Sequence, residues 1–320
     1  MNIVEVKNLT KTFGEFTAVD HIAFSIKQGE LLGFLGPNGA GKTTTINMLT
    51  GLARITDGSV RIGDIDAGKH VKRAQHLMGI VPDESNLYME MDGFDNLCFC
   101  ASLYGIGKAK REKRAHELLK IFSLTDAGKR PFKAYSKGMK RKLTIAAGII
   151  HEPKILFLDE PTTGIDVESS RQIRQLIRKL HEEGTTIFLT THYIEEAQRL
   201  CDRIAFIVEG HIVQVGTIEK LMRDVQKDNI VQFTLDQPVA KVTGLLQMEM
   251  SDYRFDMVSD DTIRLYTDTT VSLMPFIEFF DQQGYRVYEA KVIQPSLEDV
   301  FVNITGIGTR EMRKERERKK

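Results

Sequence analysis

The stretch Gly36-Pro37-Asn38-Gly39-Ala40-Gly41-Lys42-Thr43-Thr44 constrains this chain more than any other. It matches the pattern G-x-x-x-x-G-K-[ST], and the apolar run Leu31-Leu32-Gly33-Phe34-Leu35 just before it reads as a buried strand. A helix is predicted to follow over about 43–51. In that order of strand, loop and helix, glycines let backbone N–H groups converge on one point. Unpaired donors of the first helical turn and the helix dipole then favour an anion there. Phosphate suits such a cradle, with Lys42 reaching the outer phosphates of a nucleotide and the Thr43 hydroxyl offered to Mg²⁺. Outside that context the same residues would make an ordinary glycine-rich turn.

A chain of 320 residues with 42% apolar side chains can bury a substantial core, enough for one large domain and a smaller one, or two. The formal charge is zero, but the last eleven residues hold seven basic and three acidic side chains. That leaves 37 basic against 41 acidic groups elsewhere, about −4. A basic tail thus hangs from a mildly acidic body. Cys98, Cys100 and Cys201 form neither a paired nor a zinc-binding spacing, which suits a reduced, cytoplasmic setting. The start Met1-Asn2-Ile3-Val4-Glu5 lacks the basic and apolar regions of a signal peptide. No apolar run approaches the ~18 to 20 residues of a membrane span. Any membrane role is therefore expected through a partner.

From residue 2 to Leu35, short apolar runs divided by Gly14 and Gln28-Gly29 read as antiparallel strands, with Phe13 in the first loop of that sheet. Ser59-Val60-Arg61-Ile62 and Met78-Gly79-Ile80-Val81 read as further strands. From about 93 to 150 the spacing turns helical, and two strand-and-helix units follow (155–158 with 168–183, 186–189 with 193–200). Such alternation implies a parallel sheet covered by helices. Strands at 203–208 and 211–215 close this part. A helix over 217–227 links it to a segment reading strand, helix, strand, strand, helix, strand over 230–292, with a last helix from Ser296. That order is ferredoxin-like.

Asp159 and Glu160 end the apolar strand 155–158, where ligands sit in a parallel sheet. There Asp159 would hold Mg²⁺, and Glu160 would polarise a water attacking a γ-phosphate. By themselves the two are only acids closing a strand. Ser136 precedes a strongly helical segment and is an N-cap candidate, so a second helix N-terminus could face an anion.

Taken in order, these pieces resemble the nucleotide-binding subunit of ATP-binding cassette (ABC) transporters. Residues 36–44 match its Walker A loop, Tyr135-Ser136-Lys137-Gly138-Met139 its signature, and 155–160 its Walker B strand with catalytic glutamate. Gly164-Ile165-Asp166 match its D-loop, and Thr191-His192 its switch histidine. The resemblance covers residues 1 to about 216. It implies an α/β fold of the P-loop NTPase type: a RecA-like parallel core, an antiparallel β subdomain and a helical insertion, followed by the small C-terminal α+β domain. It further implies ATP and Mg²⁺ as cofactors, and catalysis by Glu160, His192 and Lys42. Nucleotide contacts fall on residues 36–44, on Phe13 stacking against adenine, and on Ser136 and Gly138 reaching the γ-phosphate bound by a second copy. The metal would lie against Thr43, Asp83 and Asp159. Asp83 stands where the family has a glutamine, and Lys137 replaces a signature glycine.

With Pro295-Ser296-Leu297-Glu298-Asp299-Val300-Phe301, both departures resemble the branch that pairs with drug-resistance and sodium-efflux permeases. The expected layout is an ATPase domain at 1–216 with its helical subdomain at about 93–150, a linker helix at 217–228, an accessory domain at 229–305 and a basic tail at 306–320. The accessory domain would regulate, support a dimer or merely stabilise. The tail is basic enough to meet anionic lipid, or to be a solvated helix. The function implied is an ATPase subunit powering a separate integral membrane permease for export, as a homodimer at the cytoplasmic membrane face and without specific nucleic acid. The alternative is a cassette ATPase acting on DNA or ribosomes. Against it, Lys42 and Ser136 lie only 94 positions apart, with no sustained heptads between them.

Overall fold

The run before the glycine loop is a strand, Leu31–Leu35, buried at every residue. Burial on both faces is what a central strand of a covered parallel sheet requires. In the computed structural model, which describes residues 1–225, 229–267, 269–293 and 296–306, this strand lies inside a six-stranded sheet. Across that sheet the order is His211–Thr217, Arg203–Val208, Leu31–Leu35, Thr186–Thr191, Ile155–Asp159, Met78–Val81. The pairings are parallel except for His211–Thr217, which returns through Glu209 and Gly210, both at positive φ (48° and 81°).

Grouping all of residues 2–35 as antiparallel was therefore too broad. Asn2–Phe13 and Phe16–Lys27 do pair antiparallel, in a second sheet with Asp57–Ile62 and the two-residue strand Ile65–Asp66. Leu31–Leu35 leaves them for the parallel sheet. Phe13 is the last residue of its strand, opposite Phe16 at the hairpin end, and not in a loop. Ile65–Asp66 and the helix Val71–Gln75 are too short for periodicity to reveal.

An aromatic cluster joins the two sheets. Phe24 of the antiparallel sheet packs against Phe34 and Phe188 of the parallel one, with ring centroids at 5.7 and 5.8 Å, and Phe188 also meets Phe34 at 5.3 Å and Phe157 at 5.8 Å.

The helical insertion comprises Gly93–Leu103, Lys108–Ile121 and Lys137–Ile149. Asp92 and Ser136 cap the first and third, accepting from the N–H groups of Asp95 and Met139. The third helix is stitched to the loop that leaves Met78–Val81. Arg141 donates to the carbonyl of Pro82 at 2.5 Å and to that of Asp83, and the Thr144 and Ser85 hydroxyls lie 2.7 Å apart.

Contacts divide the chain into two units, one holding Met1–Ile218 and the other Glu219–Asn303. The second runs Asn229–Leu235, Ala240–Glu249, Arg254–Ser259, Thr262–Thr267, Met274–Gln282, Val287–Ile293. Its sheet is wholly antiparallel, with Thr262–Thr267 and Asn229–Leu235 inside and Arg254–Ser259 and Val287–Ile293 at the edges. Phe233, Phe276, Phe279 and Phe280 fill its core. The helix expected from Val271 begins at Met274, with Pro275 in its first turn, where a missing N–H does no harm. A helix, Ile218–Val225, stands where the linker helix at 217–228 is expected, and from Glu219 on it belongs to the second unit. Its residues 226–228, Pro295 and the tail at 307–320 lie outside the described residues. Among the described residues no helix is long and apolar enough to cross a membrane.

Phe188→Ala removes the ring shared by both sheets. It is expected to cost the first unit about 3–5 kcal/mol, read from the midpoint of chemical denaturation.

Candidate functional site

Register brings three strand ends together. Leu35 pairs with Thr191, and Asp159 with Thr190, so the carboxyl ends of three neighbouring strands finish level. From Leu35 the glycine loop opens. Gly41 sits at φ 100°, where a Cβ would also meet the Ala18 carbonyl oxygen at 2.7 Å, so both conformation and space require glycine. The helix Lys42–Leu49 starts directly after it. Gly36 and Ala40 are buried, Pro37 is half-buried, and Asn38, Gly39 and Thr43 are exposed, with Thr44 between.

Lys42 is only 5% exposed. Its Nζ donates to the carbonyls of Gly36 and Pro37, each at 2.9 Å, and lies 3.3 Å from Glu160 Oε1. Glu160 is held on its other oxygen, Oε2, by the Thr163 hydroxyl at 2.9 Å and by His192 Nδ1 at 3.0 Å. Burial raises the Glu160 carboxyl, but His192, Lys42 and Thr163 outweigh it and bring it down to about 2. Its backbone adopts φ 44°, unusual for a residue with a side chain, and its N–H donates to the Thr190 carbonyl at 3.1 Å. Strain of that kind costs about 1–3 kcal/mol and collects at functional positions.

Beside it, the Asp159 carboxyl accepts from the Thr190 hydroxyl at 2.5 Å. Burial pushes Asp159 up, and the hydroxyls of Thr190 and Thr43 partly restore its acidity. Lys42, Thr43, Asp159, Glu160 and His192 are thus one cluster.

The remaining candidates are placed differently. Asp83 has its carboxylate 3.3 Å from Arg141, and burial raises it against the pull of that guanidinium. Ser136 accepts from its own helix, and Gly138 lies where a Cβ would meet Ser169 Oγ at 2.3 Å. Their contacts lie outside the cluster. Phe13 is exposed at the hairpin end with Lys11 Nζ 4.7 Å from its ring centre.

Arg141, Thr163 and Thr190 belong to this cluster without being among the residues expected from the sequence. Arg141 had a visible signal, since it lies three residues after Gly138 and four before Ile145, on the buried side of Lys137–Ile149. It is a buried cation facing Asp83, Asp159 and Glu160. The two threonines had none, because their roles depend on strand register and on one turn.

Such a cluster can bind phosphate through Lys42 and the glycine loop, hold a hard cation on oxygen donors, and place a carboxylate beside the reacting group. The sequence matches the ABC transporter family model over residues 19–163. It is 34% identical over 309 residues to the linearmycin resistance ATP-binding protein LnrL of Bacillus subtilis (strain 168), covering 95% of this chain and 98% of that one. To the bacitracin transport ATP-binding protein BcrA of Enterococcus faecalis it is 35% identical, covering 96% and 97%. Among solved structures, the dimeric post-hydrolysis cassette MJ0796 bound to ADP and Pi matches with a TM-score of 0.62 at 28% identity, over 67% of this chain and 98% of that one. Carrying the phosphate cradle and its carboxylates, and aligned over nearly the whole of both curated relatives, the chain belongs to the ATP-binding subunits of ABC transporters.

Proposed function

We propose that the chain hydrolyses ATP at sites completed by a second copy of itself, and that this cycle drives a separate integral membrane permease for export. The observation that carries the hydrolytic part is Glu160, held between Lys42 and His192 at the level ends of three parallel strands. Relatives named for drug resistance, bacitracin transport and Nod factor export support the direction. A structural relative that is a dimeric cassette supports the second copy.

In this reading Glu160 orients a water toward the γ-phosphorus and takes its proton as the bond to the leaving β-phosphate oxygen breaks. A carboxyl near 2 is a poor base, and Lys42 and His192 are what make it so. The triphosphate offers Lys42 several anionic oxygens, which draw Nζ away from Glu160 and raise its proton affinity where a base is needed. With His192 Nδ1 on Glu160, Nε2 is the nitrogen left to meet the γ-phosphate. Phe13 would stack on adenine. Ser136 and Gly138 would reach the phosphate of the partner copy.

The donor set fits magnesium, since Thr43 and Asp159 present hard oxygens and a carboxyl raised by burial is one that a cation relieves. Bound there with the nucleotide, magnesium would neutralise phosphate charge. Asp83, paired with Arg141, would order the loop instead. The strand and helix order of the accessory unit reads as ferredoxin-like, and its role as regulation or dimer support.

Glu160→Gln is expected to keep ATP affinity, to lose about 10²- to 10⁴-fold in kcat, and to accumulate as an ATP-bound dimer in light scattering. Normal turnover, or a variant that stays monomeric with ATP, would sink the composite-site reading. For the metal, Asp159→Asn should raise the magnesium concentration for half-maximal ATP hydrolysis by about tenfold or more, and Asp83→Ala should leave that midpoint unchanged. A shifted midpoint in Asp83→Ala would return that residue to the metal site.

A further inference from the structure

Glu196 takes no part in the chemistry above, yet it is only 3% exposed, in the first turn of Ile194–Leu200. Its Oε1 accepts from the Thr162 hydroxyl at 2.8 Å, while Oε2 is buried without a hydrogen bond of ordinary geometry. Burial raises this carboxyl, and the Thr191 and Thr162 hydroxyls and the charges of Arg174 and His192 oppose that rise. A buried carboxyl with one good hydrogen bond is costly to keep, so its presence asks for a reason beyond packing.

Its neighbours supply one. Thr162 adjoins Thr163, whose hydroxyl holds Glu160 Oε2 at 2.9 Å. Thr191 adjoins His192, whose Nδ1 holds the same oxygen at 3.0 Å. The Thr191 hydroxyl also accepts from the Tyr193 N–H at 3.0 Å, which pins the backbone around His192. The path returns through the start of the helix: from Glu160 to Thr163, along the chain to Thr162, across to Glu196, whose N–H donates to the Tyr193 carbonyl at 3.1 Å, and along the chain to His192 and back to Glu160.

We infer that Glu196 is a positioning residue for hydrolysis, holding loop 161–166 and segment 191–193 as one frame around Glu160. The inference rests on the reading of Glu160 as the hydrolytic base. The loop ends at Asp166, which caps Val167–Glu182 by accepting from the Ser169 N–H at 2.9 Å. A second copy that displaces this loop therefore moves the clamps on Glu160 together.

Three variants of the full chain test the frame. Thr162→Val removes the hydroxyl at nearly constant volume, Glu196→Ala removes its acceptor, and Glu196→Gln keeps one. In steady-state ATPase assays, Thr162→Val and Glu196→Ala are expected to lose about tenfold or more in kcat with KM for ATP within about twofold. Glu196→Gln should keep at least about half of wild-type kcat, and the Thr162→Val/Glu196→Ala double variant should be no slower than the slower single one. Should Glu196→Ala fail to fold, judged by its thermal midpoint, Thr162→Val against Glu196→Gln decides. Wild-type kcat in Thr162→Val, a Glu196→Gln as slow as Glu196→Ala, or additive losses in the double variant would overturn the inference. A wild-type chain with no ATPase activity would overturn the reading beneath it instead, a distinct result.

Discussion

The register of three parallel strands is the constraint on which the site depends. Leu35 opposite Thr191 and Asp159 opposite Thr190 put the phosphate loop, the two acids and the histidine within one hydrogen-bonded layer. A slip of one residue in either pairing would turn every side chain of the slipped strand to the other face. That register is in turn held from below by burial, because Leu31–Leu35, Ile155–Asp159 and Thr186–Thr191 are buried at every residue. The Phe24, Phe34, Phe157 and Phe188 rings pack in the same core.

Inside that layer the charges are arranged so that none is left alone. Lys42 answers Glu160, Thr190 and Thr43 answer Asp159, and Arg141 reaches in from the helical insertion toward Asp83 and both Walker B acids. Buried ions are costly unless paired and hydrogen-bonded. The contacts that make the burial of Glu160 tolerable are also the ones that hold its carboxyl low. On the proposed reading, a polyanion arriving at Lys42 would disturb that balance and so tie binding to activation by electrostatics.

How much of this could be read from the sequence follows from the range of each interaction. The loop at 36–44 was legible because its geometry is local: Gly41 needs its left-handed φ whatever else the fold does. Asp159 and Glu160 were legible as the end of an apolar run. The sheet to which Leu31–Leu35 belongs was not, since an apolar run of five carries no record of its partners and was read with the antiparallel strands before it. Thr190 and Glu196 were invisible for the same reason, as their partners lie 31 and 34 residues away and are chosen by topology, while Thr163 reaches Glu160, three residues off, only because of the shape of the turn between them. Arg141 stood between these cases: its place on the buried side of its helix could be counted, but not what it would meet there.

The two departures from the family pattern take on a physical meaning once Arg141 is included. A neutral glutamine at position 83 would not pair with a buried guanidinium as a charge. Asp83 does, and the link from the helix Lys137–Ile149 to the loop after Met78–Val81 becomes an ion pair supported by two carbonyl contacts and the Thr144–Ser85 hydroxyl pair. Lys137, by contrast, is exposed, while Gly138 is the position packed against Ser169 with no room for a Cβ. Of the two signature positions, the chain therefore keeps glycine where packing demands it and varies the one that faces outward. The helix that presents Ser136 is thus fixed at its start by Gly138 on Ser169 and farther along by Arg141 on Asp83. That helix is thereby tied both to the loop after Met78–Val81 and to the helix Val167–Glu182 that carries Ser169.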